Sequence, residues 1–159
     1  MSATMNVTYR GFPLREGQKL LLEFTDTEWS VTTGRMVYTI DELDAEFYGI
    51  GQKPDEGEDE NFDIASTMGF CIDGSEHAYP QKVSELTADE NPITTDGLPR
   101  VQWGDLKAGM TVVFAYDGGI AEATLSEEDA EIAEEDLEFY PFSLTVREDS
   151  TKLYLKAVA

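Results

Sequence analysis

Most apolar runs in this chain are short, rich in Val, Thr, Tyr and Phe, and closed by Gly, Pro, Asp or Asn. β-branched and aromatic side chains suit a half-buried pleated surface, and the closing residues suit turns, so this punctuation predicts strands rather than helices. Nine short strands follow: Asn6 to Tyr9, Lys19 to Phe24, Trp29 to Thr33, Arg35 to Ile40, Phe70 to Ile72, Thr111 to Tyr116, Ile120 to Leu125, Phe142 to Arg147 and Lys152 to Val158. The expected fold is mainly β, an antiparallel sandwich or barrel with one acidic helix near a C-terminal hairpin. A chain of 159 residues is expected to form one domain, 1–159, with a loop-rich segment around 41–100 that holds Pro54, Pro80, Pro92 and Pro99.

Two hairpins are predicted. One turns at Asp117-Gly118-Gly119, where glycine supplies the positive φ of a tight turn between Thr111–Tyr116 and Ile120–Leu125. The other turns at Glu148-Asp149-Ser150, because Phe142, Leu144 and Val146 alternate before it and Leu153, Leu155 and Ala157 after it. A short helix is expected over Asp41 to Tyr48, with Leu43 and Phe47 four residues apart. A second helix is expected from Glu127 to about Phe139, opened by the capping box Ser126-Glu127-Glu128-Asp129 and stopped before Pro141. Its inward face is expected to be Ile132, Ala133 and Leu137.

Charge is the second strong constraint. There are 33 acids against 11 Lys and Arg, a formal charge of −22, with 8 acids and 4 bases in residues 1–50, 12 and 3 in 51–100, and 13 and 4 in 101–159. Two runs stand out: Asp55, Glu56, Glu58, Asp59, Glu60 and Asp63, then Glu127, Glu128, Asp129, Glu131, Glu134, Glu135, Asp136 and Glu138. Like charges four apart on a helix cost about 0.2–0.5 kcal/mol per pair, and acids in the last turn oppose the helix dipole. Such a surface repels nucleic acid and anionic lipid, whose binding depends on Lys and Arg. The partner it suits is a basic protein.

No family of chemical motifs competes with that reading. The start, Met-Ser-Ala-Thr-Met-Asn-Val, lacks a basic segment followed by an apolar one, and no apolar stretch is long enough for a bilayer, so a cytoplasmic protein is expected. One cysteine, Cys71, within Gly-Phe-Cys-Ile, reads as a buried thiol. With one His and one Cys, a zinc site of nitrogen and sulfur ligands is not expected. The Asp55 to Asp63 run fails the EF-hand pattern, since the third position is Gly57, the glycine position is Glu60 and the twelfth is Ser66. His77, in Asp73-Gly74-Ser75-Glu76-His77, lacks the glycine pattern of a nucleophile elbow, and no phosphate-binding glycine loop occurs. Leu14-Arg15-Glu16-Gly17 before Leu20–Phe24 resembles Leu106-Lys107-Ala108-Gly109 before Val112–Tyr116; the flanks do not continue the match, which is assigned to shared turn chemistry.

Three functional classes remain. The first is a non-catalytic acidic binding protein, without cofactor or metal, that blocks a cationic site of a nucleic-acid-processing protein or toxin as an inhibitor, DNA mimic or immunity factor. Its expected contacts are Glu127, Glu128, Glu131, Glu134, Glu135 and Glu138 with Asp55, Glu56, Glu58, Asp59 and Glu60. The second is a structural β-module of a viral particle or other homo-oligomeric assembly, joined by strand addition at Lys152–Val158. The third is a carboxylate enzyme or calcium-dependent carbohydrate binder, for which no residue pattern selects a substrate.

Overall fold

A computed structural model of the chain describes residues 4–25, 33–54, 57, 60–66, 69–70, 78–116, 119–139, 141, 144 and 146–158. Among them are eleven strands: β1 (Asn6–Tyr9), β2 (Phe12–Pro13), β3 (Lys19–Phe24), β4 (Thr33–Thr39), β5 (Asn61–Asp63), β6 (Lys82–Leu86), β7 (Thr111–Tyr116), β8 (Gly119–Thr124), β9 (Glu138–Phe139), β10 (Val146–Arg147) and β11 (Tyr154–Ala157). Two α-helices, α1 (Glu42–Tyr48) and α2 (Glu127–Asp136), and two short 3-10 turns, Ile64–Ser66 and Trp103–Asp105, complete the set. Six strands form an antiparallel sheet in the order β11-β7-β8-β4-β3-β6, which stays open and does not close into a barrel.

Strand alternation sorts the side chains of this sheet onto two faces. One face buries Leu20, Leu22, Met36, Tyr38, Val112, Phe114, Ala121 and Ala123. On it lie the small sheet β2-β1-β5, α2 and the β9–β10 ribbon, so the core is shared between two layers. Ring contacts carry the join: Tyr9 meets Phe70 at 4.9 Å and Phe70 meets Tyr38 of β4 at 5.9 Å, while Phe139 of β9 meets Phe114 of β7 at 6.3 Å. The opposite face carries Val37 and Val113, covered by Ile93 and Leu98 from the segment between β6 and β7. The 41–100 segment therefore supplies a cover for the sheet as expected, but it also contributes α1, β5 and β6.

The likeness between the two Leu-to-Gly turns extends well beyond turn chemistry. Gly17 N–H donates to the Ile40 carbonyl and Ile40 N–H to Gln18; Gly109 N–H donates to Leu125 and Leu125 N–H to Met110. Each turn thus closes a hairpin, β3–β4 or β7–β8, and each hairpin runs directly into a helix with a capping box, Asp41 with Asp44 or Ser126 with Asp129. In this correspondence Met36 is matched by Ala121, and those two residues are paired with each other where β4 meets β8. The central four strands are consequently arranged about an approximate twofold axis at that pair.

Several sequence expectations are corrected. The hairpin at Glu148-Asp149-Ser150 does not form: β10 pairs with β9, and β11 crosses to pair with β7. Alternation predicted extended chain on both sides of the turn but not its partner; Leu153 is buried in the main core and Leu155 packs against it, beside β7. Of the expected strand Trp29 to Thr33, only Thr33 is described, and it begins β4; Phe70 makes a single bridge to Ala78, while Cys71 and Ile72 lie outside the described residues. β11 does lie at a sheet edge, but its outer side is engaged, with Val101 N–H donating to Leu153 and Leu155 N–H donating to Pro99. The route expected for strand addition is occupied there by the chain itself.

Candidate functional site

The acidic helix α2 is fixed at its start by reciprocal bonds. Ser126 Oγ accepts from Asp129 N–H at 3.0 Å, and Asp129 Oδ2 accepts from Ser126 N–H at 3.0 Å and from the Ser126 hydroxyl at 2.9 Å. Asp129 is therefore buried, at 4% exposure, and drops out of the acidic surface. At its other end the helix stops at Asp136, earlier than expected, because Leu137 turns left-handed (φ 56°) with its N–H on Ala133. Extended chain then carries Phe139 into the core. Leu137, expected inward, is 48% exposed, and Glu138 lies in β9, where its carboxylate accepts from Arg147 at 3.2 Å.

Six acids of α2 remain exposed: Asp136 at its last position and, along its outer face, Glu127, Glu128, Glu131, Glu134 and Glu135. At 3.6 residues per turn these glutamates fall within about a third of the helix circumference, spread along roughly 12 Å of axis. No ion pair reaches any of them among the described residues, and the last turn has no base. Bases are placed elsewhere. On the face of the main sheet opposite α2, Arg35 and Lys156 both contact Glu122, at 3.2 and 2.7 Å, and Lys82 lies 3.8 Å from Glu23. Lys19 on the same face donates to the carbonyls of Ala88 and Glu90 and to Asn91. Which bases meet which acids on that face depends on strand register and is therefore hidden in the sequence.

Of the second acidic run, Asp55, Glu56, Glu58 and Asp59 lie outside the described residues. Glu60 is exposed, and its carbonyl accepts from Asn6 N–H. Asp63 acts structurally: its carboxylate accepts from Thr8 Oγ1, Arg10 N–H, Gly11 N–H and Ala65 N–H at 2.9 to 3.1 Å. These bonds hold the β1–β2 turn, where Arg10 (φ 49°) and Gly11 (φ 85°) both take positive φ. Burial pushes the Asp63 carboxyl up, but the amide and hydroxyl donors outweigh it and hold the pKa below its ordinary 3.8. Such a group adds stability above its unfolded pKa and loses that contribution as pH falls through the folded value. Asp63→Asn should therefore cost about 1 kcal/mol at pH 7 and progressively less as pH falls through the folded value, because a partly exposed charge-assisted network is worth little more. Urea unfolding at pH 7 and across falling acid pH checks this.

The described acids of the two runs, Glu60 and Asp63 on one side and those of α2 on the other, are not neighbours. β5 pairs with β1, whose Tyr9 packs through Phe70 over β4, whereas α2 packs on β9 and the Trp103–Asp105 turn, over β7. They share one side of the sheet at different places along it. Among the other surface features, a groove of ≈ 470 Å³ is lined by Arg15, Gln18, Lys19, Thr39, Glu85 and Thr87. Its charged groups already bind one another: Arg15 holds Glu85 by two bonds of 2.7 and 2.6 Å, and with Gln18 it lowers the Glu85 pKa to about 2. No cluster of three metal-binding side chains occurs among the described residues; His77 and Cys71 are outside them. No helix among them is long and apolar enough to cross a membrane.

Sequence reasoning missed α1's arrangement. The helix forms as expected, yet Leu43 and Phe47 are 75% and 58% exposed while Ala45 and Tyr48 are buried. Tyr38 explains the rotation: it hydrogen-bonds Asp44 and Tyr48 beneath the helix. Burial pushes the Asp44 carboxyl up against the pull of those bonds.

A surface this acidic opposes its own folding. Raising salt from 0.01 to 1 M shortens the screening length from about 30 to about 3 Å, so the melting temperature should rise by several degrees. A melting temperature that stays level or falls in differential scanning calorimetry would refute net self-repulsion. Comparison with protein-family models, curated proteins and solved structures finds no match to this chain.

Proposed function

We propose that this protein is a non-catalytic acidic binding protein that occupies the cationic site of a nucleic-acid-processing protein or toxin, as an inhibitor, DNA mimic or immunity factor. One observation carries the reading: the stripe of Glu127, Glu128, Glu131, Glu134 and Glu135, exposed and without an ion pair among the described residues. Five carboxylates along about 12 Å give one charge per roughly 3 Å. A DNA strand presents one phosphate per about 3.4 Å of axis, so a groove of Lys and Arg built for that strand meets a comparable charge density here. Glu138, paired with Arg147, is left out of the contact set, and Glu60 keeps its place in it. The partner is a basic protein, the expected compartment is the cytoplasm, and neither nucleic acid nor membrane is contacted directly.

The stripe is tested with the quintuple Glu→Gln variant at positions 127, 128, 131, 134 and 135, which keeps helix propensity and shape. Wild type and variant are immobilised, exposed to lysate at low salt and washed with a salt gradient. One stoichiometric nucleic-acid enzyme or toxin held past physiological salt by wild type, and bound roughly a hundredfold more weakly by the variant, is the expected result. Equal retention by the variant, or only diffuse basic proteins leaving early, would sink the proposal.

A second reading, a structural module of an assembly such as a virion, has one observation in its favour. β6 lies at the other edge of the main sheet with β3 as its strand partner. Sedimentation at rising concentration separates the two, since an assembly module self-associates and a −22 inhibitor stays monomeric.

A further inference from the structure

We propose that the exposed Leu43–Phe47 pair on α1 is an apolar anchor for the basic protein partner, received by an apolar pocket whose rim carries Lys or Arg. This deepens the reading above and rests on it. Leu43 and Phe47 are 75% and 58% exposed and lie one turn apart, so their side chains adjoin. The helix that displays them is held at three points. Asp41 and Asp44 form its capping box, Gly49 closes it with a left-handed turn, and the buried Tyr48 ring meets the Phe47 ring edge-on at 5.5 Å. Two large apolar groups on a fixed helix face, four residues apart, match the way short helices enter hydrophobic grooves.

Charge identifies the occupant. Glu42 and Glu46 are exposed and border the pair along one side of the helix, Asp41 precedes it, and the last turn carries no base. A second copy would bring the same carboxylates and another −22 charge to the interface. Anionic lipid is repelled for the same reason. A cationic rim around an apolar pocket pairs with both parts of the patch, placing the anchor at the dry centre and the charges at the edge, the usual layout of binding hot spots.

The anchor is a separate contact from the carboxylate stripe. α1 leaves β4 after Thr39, whereas α2 leaves the antiparallel neighbour β8 after Thr124, which pairs with Thr33 at the far end of β4. The approximate twofold axis thus sets the two helices at opposite ends of one strand pair, about 20 Å apart. A partner that engages both must span that length.

Two probes distinguish the anchor from general acidity: an amphipathic helical peptide of Leu and Lys, and a Lys peptide of equal charge. The Leu/Lys peptide should bind wild type roughly tenfold more tightly than the Lys peptide, with amide resonance shifts at residues 42–48. L43S/F47S, a change at exposed positions, should reduce the Leu/Lys peptide to the level of the Lys peptide and leave Lys-peptide binding unchanged. Equal affinity of wild type for the two peptides, or an unchanged double variant, would overturn the anchor while leaving the acidic-binder reading intact. Failure of both peptides to bind at low salt would overturn that reading as well. A dimer of the free protein that L43S/F47S dissociates would make a second copy the occupant and overturn the cationic one.

Discussion

Phe139→Ala is expected to lower stability by about 3–5 kcal/mol, the cost of emptying a fully buried aromatic site. Phe139 has 0% exposure, although it belongs to a strand of two residues. Its ring lies 5.7 Å from Trp103 and 6.3 Å from Phe114, so it joins α2's exit to the main sheet. Truncation leaves a cavity between layers, where neither the sheet nor the helix is free to collapse. Against a usual domain stability of about 5–15 kcal/mol, that loss is a large share. Urea unfolding followed by tryptophan fluorescence measures it, and a loss below about 1 kcal/mol would show that α2 and its ribbon are not held by this contact.

Gly119→Ala should cost about 3 kcal/mol, at the upper end for overpacking. A β-carbon there would stand 1.9 Å from the Val37 carbonyl oxygen and 2.8 Å from the Tyr116 hydroxyl. The obstacle is main chain in the neighbouring central strand, so no rotamer change relieves it. Tyr116 also donates to that same carbonyl at 2.7 Å, and the methyl group would displace this bond. Gly104→Ala is the matched control, because nothing lies within 4 Å of its β-carbon position. The prediction fails if the two variants melt together.

β3 and β8 were readable in the main sheet because their burial alternates, whereas β7 buries Val112, Val113 and Phe114 in succession, covered on both faces, and was readable as an apolar run closed by a turn. β1, β3 and β7 keep their expected bounds, and the β7–β8 hairpin pairs Tyr116 with Gly119, with Asp117 and Gly118 outside the described residues. β6 escaped notice for a physical reason: Val83 packs toward the main core and Leu86 toward the opposite cluster, so Lys82–Leu86 shows no alternation. β2, β5 and β9 are too short for any periodicity, and their pairing rests on Asp63's hydrogen bonds and Phe139's burial. The twofold relation was half visible as two Gly turns before apolar strands. Hydrogen bonds, which tolerate side-chain divergence, carry the rest.

The candidate site was legible as charge and illegible as geometry. Composition marked the α2 acids, and the capping box placed them on a helix. Which acids face outward depends on the buried Asp129 and the left-handed Leu137, and where the bases go depends on register across five strands. The spacing of Leu43 and Phe47 marked a shared helix face without its direction. Tyr38 and Asp44 set that direction through a contact remote from the pattern.

In the proposed role this protein takes the place of nucleic acid in a basic partner's groove. The direct measurement loads the retained partner with a fluorescent DNA or RNA duplex and titrates in this protein while anisotropy is followed. Displacement of the duplex at stoichiometric protein by wild type, with little displacement by the quintuple Glu→Gln variant, is the predicted result. A stable ternary complex of partner, duplex and this protein would contradict it.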